Sequence, residues 1–231
     1  MAFSSELEFI SFLGKPELSY SDIWEFQKDR VDAVSKGISP ETIIFCEHER
    51  VLTAGRRFKS ENVLDKTLPL FEIERGGDVT LHAPGQLVIY PILKLNSGRF
   101  PGGLHEYLRF IEQVTMDNLK KLGLEAGRFG PTGVWIKNKN GEEKKIASLG
   151  IAVRHWITYH GLAINVSNDL ADFQKLRPCD FESSIMTSLA NEGVTISLHA
   201  LATEIQNLME VDLKKRFEIF QPALDVAENY Y

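Results

Sequence analysis

Residues 133–150 read GVWIKNKNGEEKKIASLG and decide the fold class. Apolar runs at 133–137 and 145–153 stand on either side of a polar stretch that contains Asn140 and Gly141. An Asn-Gly pair between two apolar runs is the strongest short-range signal for a β-hairpin, because both residues accept positive φ angles. A further apolar run over 156–166 follows. The sequence therefore predicts an antiparallel meander of three strands.

Helices are predicted on both sides of this meander. Apolar residues recur every three and four positions from Gly103 to Leu122, and Gly123 follows as a C-terminal stop. Similar patterns predict helices at 21–36, 169–176 and 197–209 and strands at 42–46 and 71–75. Because the chain shows neither an internal repeat nor a linker, one mixed α/β (α+β) domain over 1–231 is expected.

Composition and charge restrict the function. A net charge of −6 argues against nucleic-acid binding, which needs concentrated Lys and Arg. The N-terminus lacks a signal-like pattern and no apolar stretch is long enough to span a bilayer, so a cytoplasmic protein is expected. The six histidines and two cysteines lack metal-ligand spacing, and there is no P-loop. Neither a metal nor another cofactor is expected.

Residues 75–86 read RGGDVTLHAPGQ and contain three glycines, Pro84, Arg75 and His82. Such a segment lets the backbone approach a ligand closely. The alternative is a plain surface turn between strands. A binding loop is favoured, because a plain turn needs neither Arg75 nor His82.

Small residues are concentrated in two of the predicted strands. On adjacent strands they would leave a groove in which a linear acyl chain could lie. They would equally well let a helix pack close to the sheet, and composition alone leaves both interpretations open. By itself, His160 is more typical of a buried core histidine than of a catalyst. The small residues are Ala147, Ser148, Gly150, Gly161 and Ala163.

The two cysteines have different surroundings. Cys46 lies within an apolar strand and is predicted to be a core residue, whereas Cys179 follows Arg177 and Pro178 at the end of a predicted helix. A thiol attacks as its thiolate, and its ordinary pKa of about 8.5 leaves only a few per cent ionised at neutral pH. A nearby ammonium group, for which Lys145 is the candidate, would lower that pKa. The sequence therefore indicates acyl transfer through a thioester.

Taken together, these segments resemble the lipoyl(octanoyl) transferases, also called octanoyl-[acyl-carrier-protein]:protein N-octanoyltransferases. The resemblance covers most of the chain. It implies a mixed β-sheet flanked by helices, similar to the catalytic domains of biotin and lipoate protein ligases. The motifs that carry it are Glu47-His48, Thr53 to Arg56, Arg75 to Gln86, Pro131 to Trp135, Lys145 to Gly150, His160 to Asn165 and Pro178-Cys179.

The resemblance also implies roles for individual residues. Cys179 matches the nucleophile that forms the acyl thioester, and Lys145 matches the lysine that lowers its pKa. A further set matches substrate-binding positions: Arg75, Gly76, Gly77, Asp78, Val79, Thr80, Leu81, His82, Ser148, Leu149, Gly150, Gly161, Leu162 and Ala163.

The implied reaction is the first step of endogenous lipoate cofactor synthesis. Octanoyl passes from octanoyl-acyl carrier protein to Cys179. It then passes to a lysine of lipoyl domains, which occur in 2-oxoacid dehydrogenase complexes and in the glycine-cleavage H protein. The conversion of a thioester to an amide needs no ATP. Because the carrier protein is acidic, a basic docking patch is expected, with residues 56–59 and Lys144-Lys145 as candidates.

Three residues depart from the family pattern. Leu81 replaces a usual aromatic residue, Ala83 replaces a glycine and would resist a positive φ, and Asp180 replaces a glycine and would oppose formation of the thiolate. Two alternatives stay open at this point. One is an ATP-dependent lipoate or biotin protein ligase that does not need Cys179, and the other is a non-catalytic relative that binds acyl carrier protein or lipoyl domains.

Overall fold

The described part of the chain comprises ten strands and three α-helices. The computed structural model describes residues 7–15, 18–177 and 181–228. In chain order the elements are β1 Leu7–Ser11, α1 Tyr20–Ser35, β2 Glu41–Cys46, β3 Val51–Ala54, β4 Leu70–Glu72, β5 Val79–His82, β6 Gln86–Ile92, α2 Gly103–Lys121, β7 Glu125–Gly127, β8 Val134–Lys137, β9 Glu143–Arg154, β10 Ile157–Asn165 and α3 Leu198–Glu228.

A seven-stranded mixed sheet, the main sheet, carries the fold. Its strand order is β1-β2-β6-β10-β9-β8-β7, in which only β1 and β2 pair in parallel. The predicted meander is confirmed as β8, β9 and β10. The hairpin forms where the Asn-Gly signal predicts it, and Gly141 has a φ of +78° in the turn that joins β8 to β9, whereas Asn140 is not among the described residues with a positive φ.

A second sheet of three strands, in the order β4-β3-β5, lies beside the main sheet. The strand predicted at 71–75 is only partly confirmed, since β4 ends at Glu72. Ile73 instead packs with Tyr20 and Val51 in a small core of its own. Gly77, with a φ of +94°, then turns the chain into β5.

Helices cover both faces of the main sheet, as predicted. On one face, α1 packs Ile23 and Val31 against residues of β2, β6 and β10. It begins with a capping box, in which Ser19 Oγ accepts a hydrogen bond from the Asp22 amide and Asp22 Oδ2 accepts one from the Ser19 amide. On the other face, α2 and α3 pack over the core.

Helix ends follow the local sequence signals to different extents. Gly123 has a φ of +84° directly after Leu122, the C-cap of α2, which confirms the predicted stop. The predicted end of α3 at residue 209 is wrong, because its apolar spacing continues through the buried Leu213 and the helix reaches Glu228. The short helix predicted at 169–176 is a 3₁₀ helix, Leu170–Lys175.

Within the described ranges, no helix combines the length and the apolar character that a membrane span requires.

Candidate active site

A cavity of about 550 Å³ lies between the main sheet and the segment Arg75–His82. One group of its lining residues is exposed and forms the mouth, namely Arg57, Lys59, Leu104, Pro131, Thr132 and Phe181. A second group is buried and forms the closed end, namely Tyr20, Ile73, His82, Val88, Tyr90 and His160. The floor between them consists of Ser148, Leu149, Gly150, Gly161, Leu162 and Ala163. The name closed end refers to the burial of these six residues; Gly76, which is exposed, also lines the cavity.

Two glycines of the floor, Gly150 and Gly161, are needed for different physical reasons. A Cβ on Gly150 would lie 2.7 Å from Cδ of Arg75, so this glycine gives room to the side chain that covers the floor. A Cβ on Gly161 would collide with the carbonyl oxygen of Ile89 in the neighbouring strand. Four of the five small residues line the cavity, whereas Ala147 lies in the core and Ala163 also packs in the core that α1 covers, so each interpretation describes part of the structure.

The loop before β5 is fixed over the floor by its own residues. Arg75 is buried, and its Nη2 donates hydrogen bonds to the carbonyl oxygen and to Oγ1 of Thr53, at 2.5 and 3.0 Å. The amide of Gly76 donates to the carbonyl oxygen of Ile151 at 2.9 Å. The two sheets are thereby joined across the cavity.

Almost all of the predicted substrate-binding residues line this cavity. The exception is Leu81, whose side chain packs in a separate core with Leu52 and Phe173. Ala83 belongs to the same core and is not among the described residues with a positive φ, so its side chain causes no backbone strain there.

Lys145 lies at the inner side of the mouth. Its side chain is 9% exposed, and Nζ donates a hydrogen bond to the carbonyl oxygen of Thr132 at 2.9 Å. Gly133, with a φ of +136°, makes room for it, since a Cβ there would lie 2.6 Å from Cε of Lys145. Because it is buried, Lys145 cannot belong to a surface docking patch, and that part of the prediction is wrong.

Cys179 lies outside the described residues, together with Pro178 and Asp180. No distance between Lys145 and Cys179 can therefore be measured within the described residues. On the far side of this gap, Phe181 lines the mouth and its ring lies 6.5 Å from that of Trp135. Nζ of Lys145 lies 5.7 Å from the centre of the same Trp135 ring. Phe181 and Lys145 are thus brought to one end of the cavity.

Cys46 is a core residue, as predicted. It is fully buried, and burial raises the pKa of its thiol well above the ordinary value. Its Sγ lies 3.5 Å from Nε2 of His48, within the core beside β6. A reactive thiolate at this position is not supported.

The closed end holds polar groups that are neutral at pH 7. Nε2 of His48 and the hydroxyl of Tyr90 share a hydrogen bond of 2.8 Å, and Nδ1 of His82 lies 3.3 Å from Oε1 of Gln86. Burial lowers the pKa of His82 to about 3 and also lowers the pKa of His48. This end of the cavity is therefore polar without carrying charge on its histidines.

His160 has an unusual backbone for a residue inside a strand. Its φ is +55°, and its amide donates to Oε1 of Gln27 in α1 at 2.8 Å. Burial lowers the pKa of His160, so the neutral ring can donate from Nε2 to the Glu74 carboxylate, 3.4 Å away. This hydrogen bond lowers the pKa of Glu74 to about 2. His160 is thus the buried histidine that its sequence context indicated, and it also lines the cavity.

Sequence reasoning missed several residues of the closed end. Tyr20 begins α1 and Tyr90 lies in β6, so both reach the cavity only through long-range packing. Glu74 directly precedes the loop and is visible in the sequence, but nothing there pairs it with His160. The capping Ser19 beside Tyr20 indicates a helix start and gives no sign of a binding role.

Comparison with known proteins gives the family. The model of the lipoyl protein ligase A/B catalytic domain matches residues 19–210. An octanoyltransferase of Rickettsia rickettsii is 36% identical over 212 residues, which are 90% of this chain and 100% of that protein. An octanoyltransferase of Geobacter sulfurreducens is 44% identical over 178 residues, or 76% of this chain and 72% of that protein.

Solved structures confirm the expected fold. A bipartite lipoate protein ligase from Thermoplasma acidophilum has a TM-score of 0.63 at 17% identity, covering 90% of this chain and 83% of that chain. A biotin acetyl coenzyme A carboxylase synthetase from Helicobacter pylori has a TM-score of 0.51 at 11% identity, covering 90% and 75%. Since the sequence relatives are octanoyltransferases over most of their length, the chain is an acyltransferase enzyme and belongs to the lipoyl protein ligase A/B catalytic domain family.

Proposed function

We propose that this enzyme transfers octanoyl from acyl carrier protein to a lysine of lipoyl domains, through a thioester on Cys179. One observation carries the proposal. Lys145 is buried at the mouth of a cavity whose other end is lined by buried side chains, and the mouth includes Phe181, two positions after Cys179. A closed apolar floor suits a linear acyl chain, and a cation at the mouth suits a thiolate.

The first step exchanges one thioester for another. The Cys179 thiolate attacks the carbonyl carbon of the donor thioester and forms a new bond from sulfur to carbon. The bond from that carbon to the sulfur of the carrier then breaks. The Lys145 ammonium gives a proton to the departing thiolate, so that the carrier leaves as a free thiol and Lys145 becomes an amine.

The second step makes the amide. The lysine amine of the lipoyl domain attacks the same carbonyl carbon, and the neutral Lys145 amine accepts the proton that the nucleophile loses. The Cys179 thiolate leaves, which restores the thiolate and ammonium pair. Because an amide is more stable than a thioester, this step proceeds without ATP. The hydrogen bond from Nζ to Thr132 keeps Lys145 at the mouth in both steps.

The acceptors follow from the same assignment. They are the lipoyl domains of 2-oxoacid dehydrogenase complexes and the glycine-cleavage H protein, where the transferred octanoyl is the precursor of the lipoyl cofactor. The reaction is then the first step of endogenous lipoate synthesis.

A cationic rim beside the mouth supports an acidic donor. The rim lies on two segments, residues 56–66 and 175–177, which two backbone hydrogen bonds join. The Leu64 amide donates to the carbonyl oxygen of Lys175 at 2.9 Å, and the Arg177 amide donates to that of Asn62 at 2.8 Å. Asp172 forms an ion pair with Lys175 at 2.9 Å, and Glu61 and Asp65 also lie in these segments, so the positive charge is partly offset. The rim consists of Arg56, Arg57, Lys59, Lys66, Lys175 and Arg177.

Neutralising the rim tests this docking role. The Arg57→Gln/Lys59→Gln double variant is expected to slow transfer from octanoyl-acyl carrier protein at least tenfold at low salt, with less effect at high salt. Transfer from octanoyl-N-acetylcysteamine, which has no carrier, should change much less. The matched control is Lys120→Gln/Lys121→Gln at the end of α2. Equal losses with both donors would argue against docking at the rim.

The thioester itself is tested by the mass of the intact protein. After incubation with octanoyl-acyl carrier protein and no ATP, the wild-type chain is expected to gain one octanoyl group that hydroxylamine removes. Cys179→Ala should gain none. An adduct that survives hydroxylamine, or one that the variant retains, would contradict the assignment of Cys179.

The ATP-dependent ligase is the remaining alternative, because the structural neighbours include lipoate protein ligases. It predicts transfer from free octanoate in the presence of ATP, independent of Cys179. Octanoyltransferase relatives at 36–44% identity favour the thioester donor. Family membership makes the chain an enzyme, so the non-catalytic alternative is set aside.

A further inference from the structure

Trp135 is buried beside the mouth, but its side chain is not part of an apolar core. It is 3% exposed. Its neighbours in β8, Val134 and Ile136, pack in the core that α2 and α3 cover. Among the described residues, Trp135 is a member of none of the four apolar cores. Since side chains alternate between the two faces of a strand, core packing alone does not explain a tryptophan at this position.

A β-bulge places Trp135 opposite Lys145. Val134 of β8 pairs with Ala147 of β9. The next residue of β8, Trp135, pairs with Lys145, so Ile146 is the extra residue of the bulge. Nζ of Lys145 lies over the indole at 5.7 Å from the ring centre, which is within the range of a cation–π interaction. The bulge thus brings the ring and the ammonium group together.

The indole also holds the loop that binds Lys145. Nε1 of Trp135 donates a hydrogen bond to the carbonyl oxygen of Pro131 at 2.8 Å. The carbonyl oxygen of the next residue, Thr132, accepts the hydrogen bond from Nζ at 2.9 Å. A Cβ on Gly130 would lie 2.5 Å from Cζ2 of the indole, so this glycine lets the loop lie directly on the ring. One side chain therefore fixes both groups that face the ammonium.

Both contacts favour the charged form of Lys145. The face of an aromatic ring attracts a cation, and a carbonyl oxygen binds an ammonium group more strongly than a neutral amine. Burial alone would favour the neutral amine. In the proposed first step the ammonium protonates the departing thiolate of the carrier. Loss of either contact would therefore leave less of the enzyme ready for that step.

We propose that Trp135 is a positioning residue for Lys145, which holds the carbonyl group of Thr132 against Nζ and keeps this lysine protonated at the mouth. The effect on rate rests on the acyl transfer proposed above. The effect on the protonation of Lys145 does not, so the two can be measured separately.

The first measurement is an NMR titration of protein labelled with ¹³Cε-lysine, in which the Lys145 signal is assigned by its loss in Lys145→Met. Trp135→Phe removes the indole N–H and keeps a smaller ring. In this variant the midpoint of the Lys145 titration is expected at a pH lower by about half to one unit than in the wild type. An unchanged midpoint would overturn the proposal.

The second measurement is the pH dependence of single-turnover octanoyl transfer from octanoyl-N-acetylcysteamine to the enzyme. In Trp135→Phe the alkaline limb of the profile should move to lower pH by the same amount as the NMR midpoint. A rate that falls equally at every pH would show a merely structural role and overturn the proposal. A shifted midpoint with an unchanged rate profile would confirm the placement of Lys145 and contradict its proposed proton transfer.

Gly130→Ala tests the same contact from the side of the loop. Gly130 is exposed, and the added Cβ would push the loop away from the indole without replacing Trp135 or Lys145. The midpoint of Lys145 should again move to lower pH, and a wild-type midpoint would contradict the role of the loop.

The matched control is Trp156→Phe, the same replacement at an indole that is 63% exposed in the turn before β10. Its midpoint and rate profile should be those of the wild type, and a shift equal to that of Trp135→Phe would overturn the proposal. Absence of any octanoyl adduct in the wild type would contradict the thioester mechanism, while the NMR titration would still decide the role of Trp135.

Discussion

The two ends of the cavity are built in different ways. At the mouth, the buried Lys145 lies against the carbonyl oxygen of Thr132 among exposed residues of loops and of the start of α2. At the closed end, rings from α1, β5 and β6 pack together, and the histidines there are neutral. The mouth is thus suited to proton transfer and to exchange with large partners. The closed end is suited to selecting the shape and polarity of a chain.

If the proposed function is right, the chemistry depends on the mouth and the fit of the substrate on the closed end. Residues of the mouth should affect turnover with little effect on stability. Residues of the floor and the closed end should affect stability and acyl preference. Each of the following variants tests one side of this division.

The largest effect is expected for Lys145→Met. In the proposed mechanism, removal of the amine eliminates both the cation beside the thiolate and the proton acceptor, so the single-turnover rate of acyl transfer should fall about 100-fold or more. Methionine has a similar apolar stem, so the melting temperature should change little. Lys139→Met, at an exposed lysine of the β8–β9 turn, serves as the control. Retention of more than a tenth of the wild-type rate would contradict the chemical role.

The next effect is on stability, for Gly161→Ala. The added Cβ would meet the carbonyl oxygen of Ile89, which belongs to the sheet backbone and cannot move freely. Urea denaturation should show a free energy of unfolding lower by about 2–4 kcal/mol. Gly76→Ala is the comparison, because its nearest neighbour, the carbonyl oxygen of Ile151, lies at an ordinary 3.7 Å. Similar losses in both variants would contradict a rigid floor.

The smallest effect is expected for the pH dependence of the free energy of unfolding that His82, at the closed end, contributes. His82 has a folded pKa of about 3, below the ordinary value of 6.5, so the unfolded state binds more protons between these values. The stability that depends on the neutral His82 ring is fully present above pH 6.5 and is lost as the pH falls toward 3. This histidine alone should lower the free energy of unfolding by about 1 kcal/mol between pH 7 and pH 5.5.

The corresponding variant is His82→Gln, whose free energy of unfolding should depend less on pH over this range. The control is His199→Gln, at an exposed histidine of α3, which should keep the wild-type slope. A wild-type slope in His82→Gln as well would show that the ring is not held neutral by burial.

Local signals in the sequence predicted the parts of the fold that depend on neighbouring residues. The Asn140-Gly141 turn and the helix that ends before Gly123 are examples, and both are confirmed. Strand β6 was not predicted, because Pro91 interrupts its pattern and because its residues are buried on both faces.

The residues of the site also fall into two groups, those that a local sequence signal indicates and those that only long-range packing brings to the cavity. Lys145 and the glycines after Arg75 attract attention because packing alone does not explain them. Tyr20 is an ordinary aromatic residue at a helix start, and its place at the cavity depends on how α1 packs on the distant strand β10. A single sequence without coordinates cannot provide this long-range relation.

The hydrogen bond from the His160 amide to Gln27 has a consequence for how such a cavity can evolve. Gln27 lies two helical turns after Tyr20, so this bond fixes the helix that carries Tyr20 at one position along the strand. Substitutions confined to α1 can therefore alter the depth of the cavity while the residues around Lys145 stay in place. Under the proposed function, related enzymes could change the wall of the cavity through this one helix while the residues around Lys145 stay unchanged.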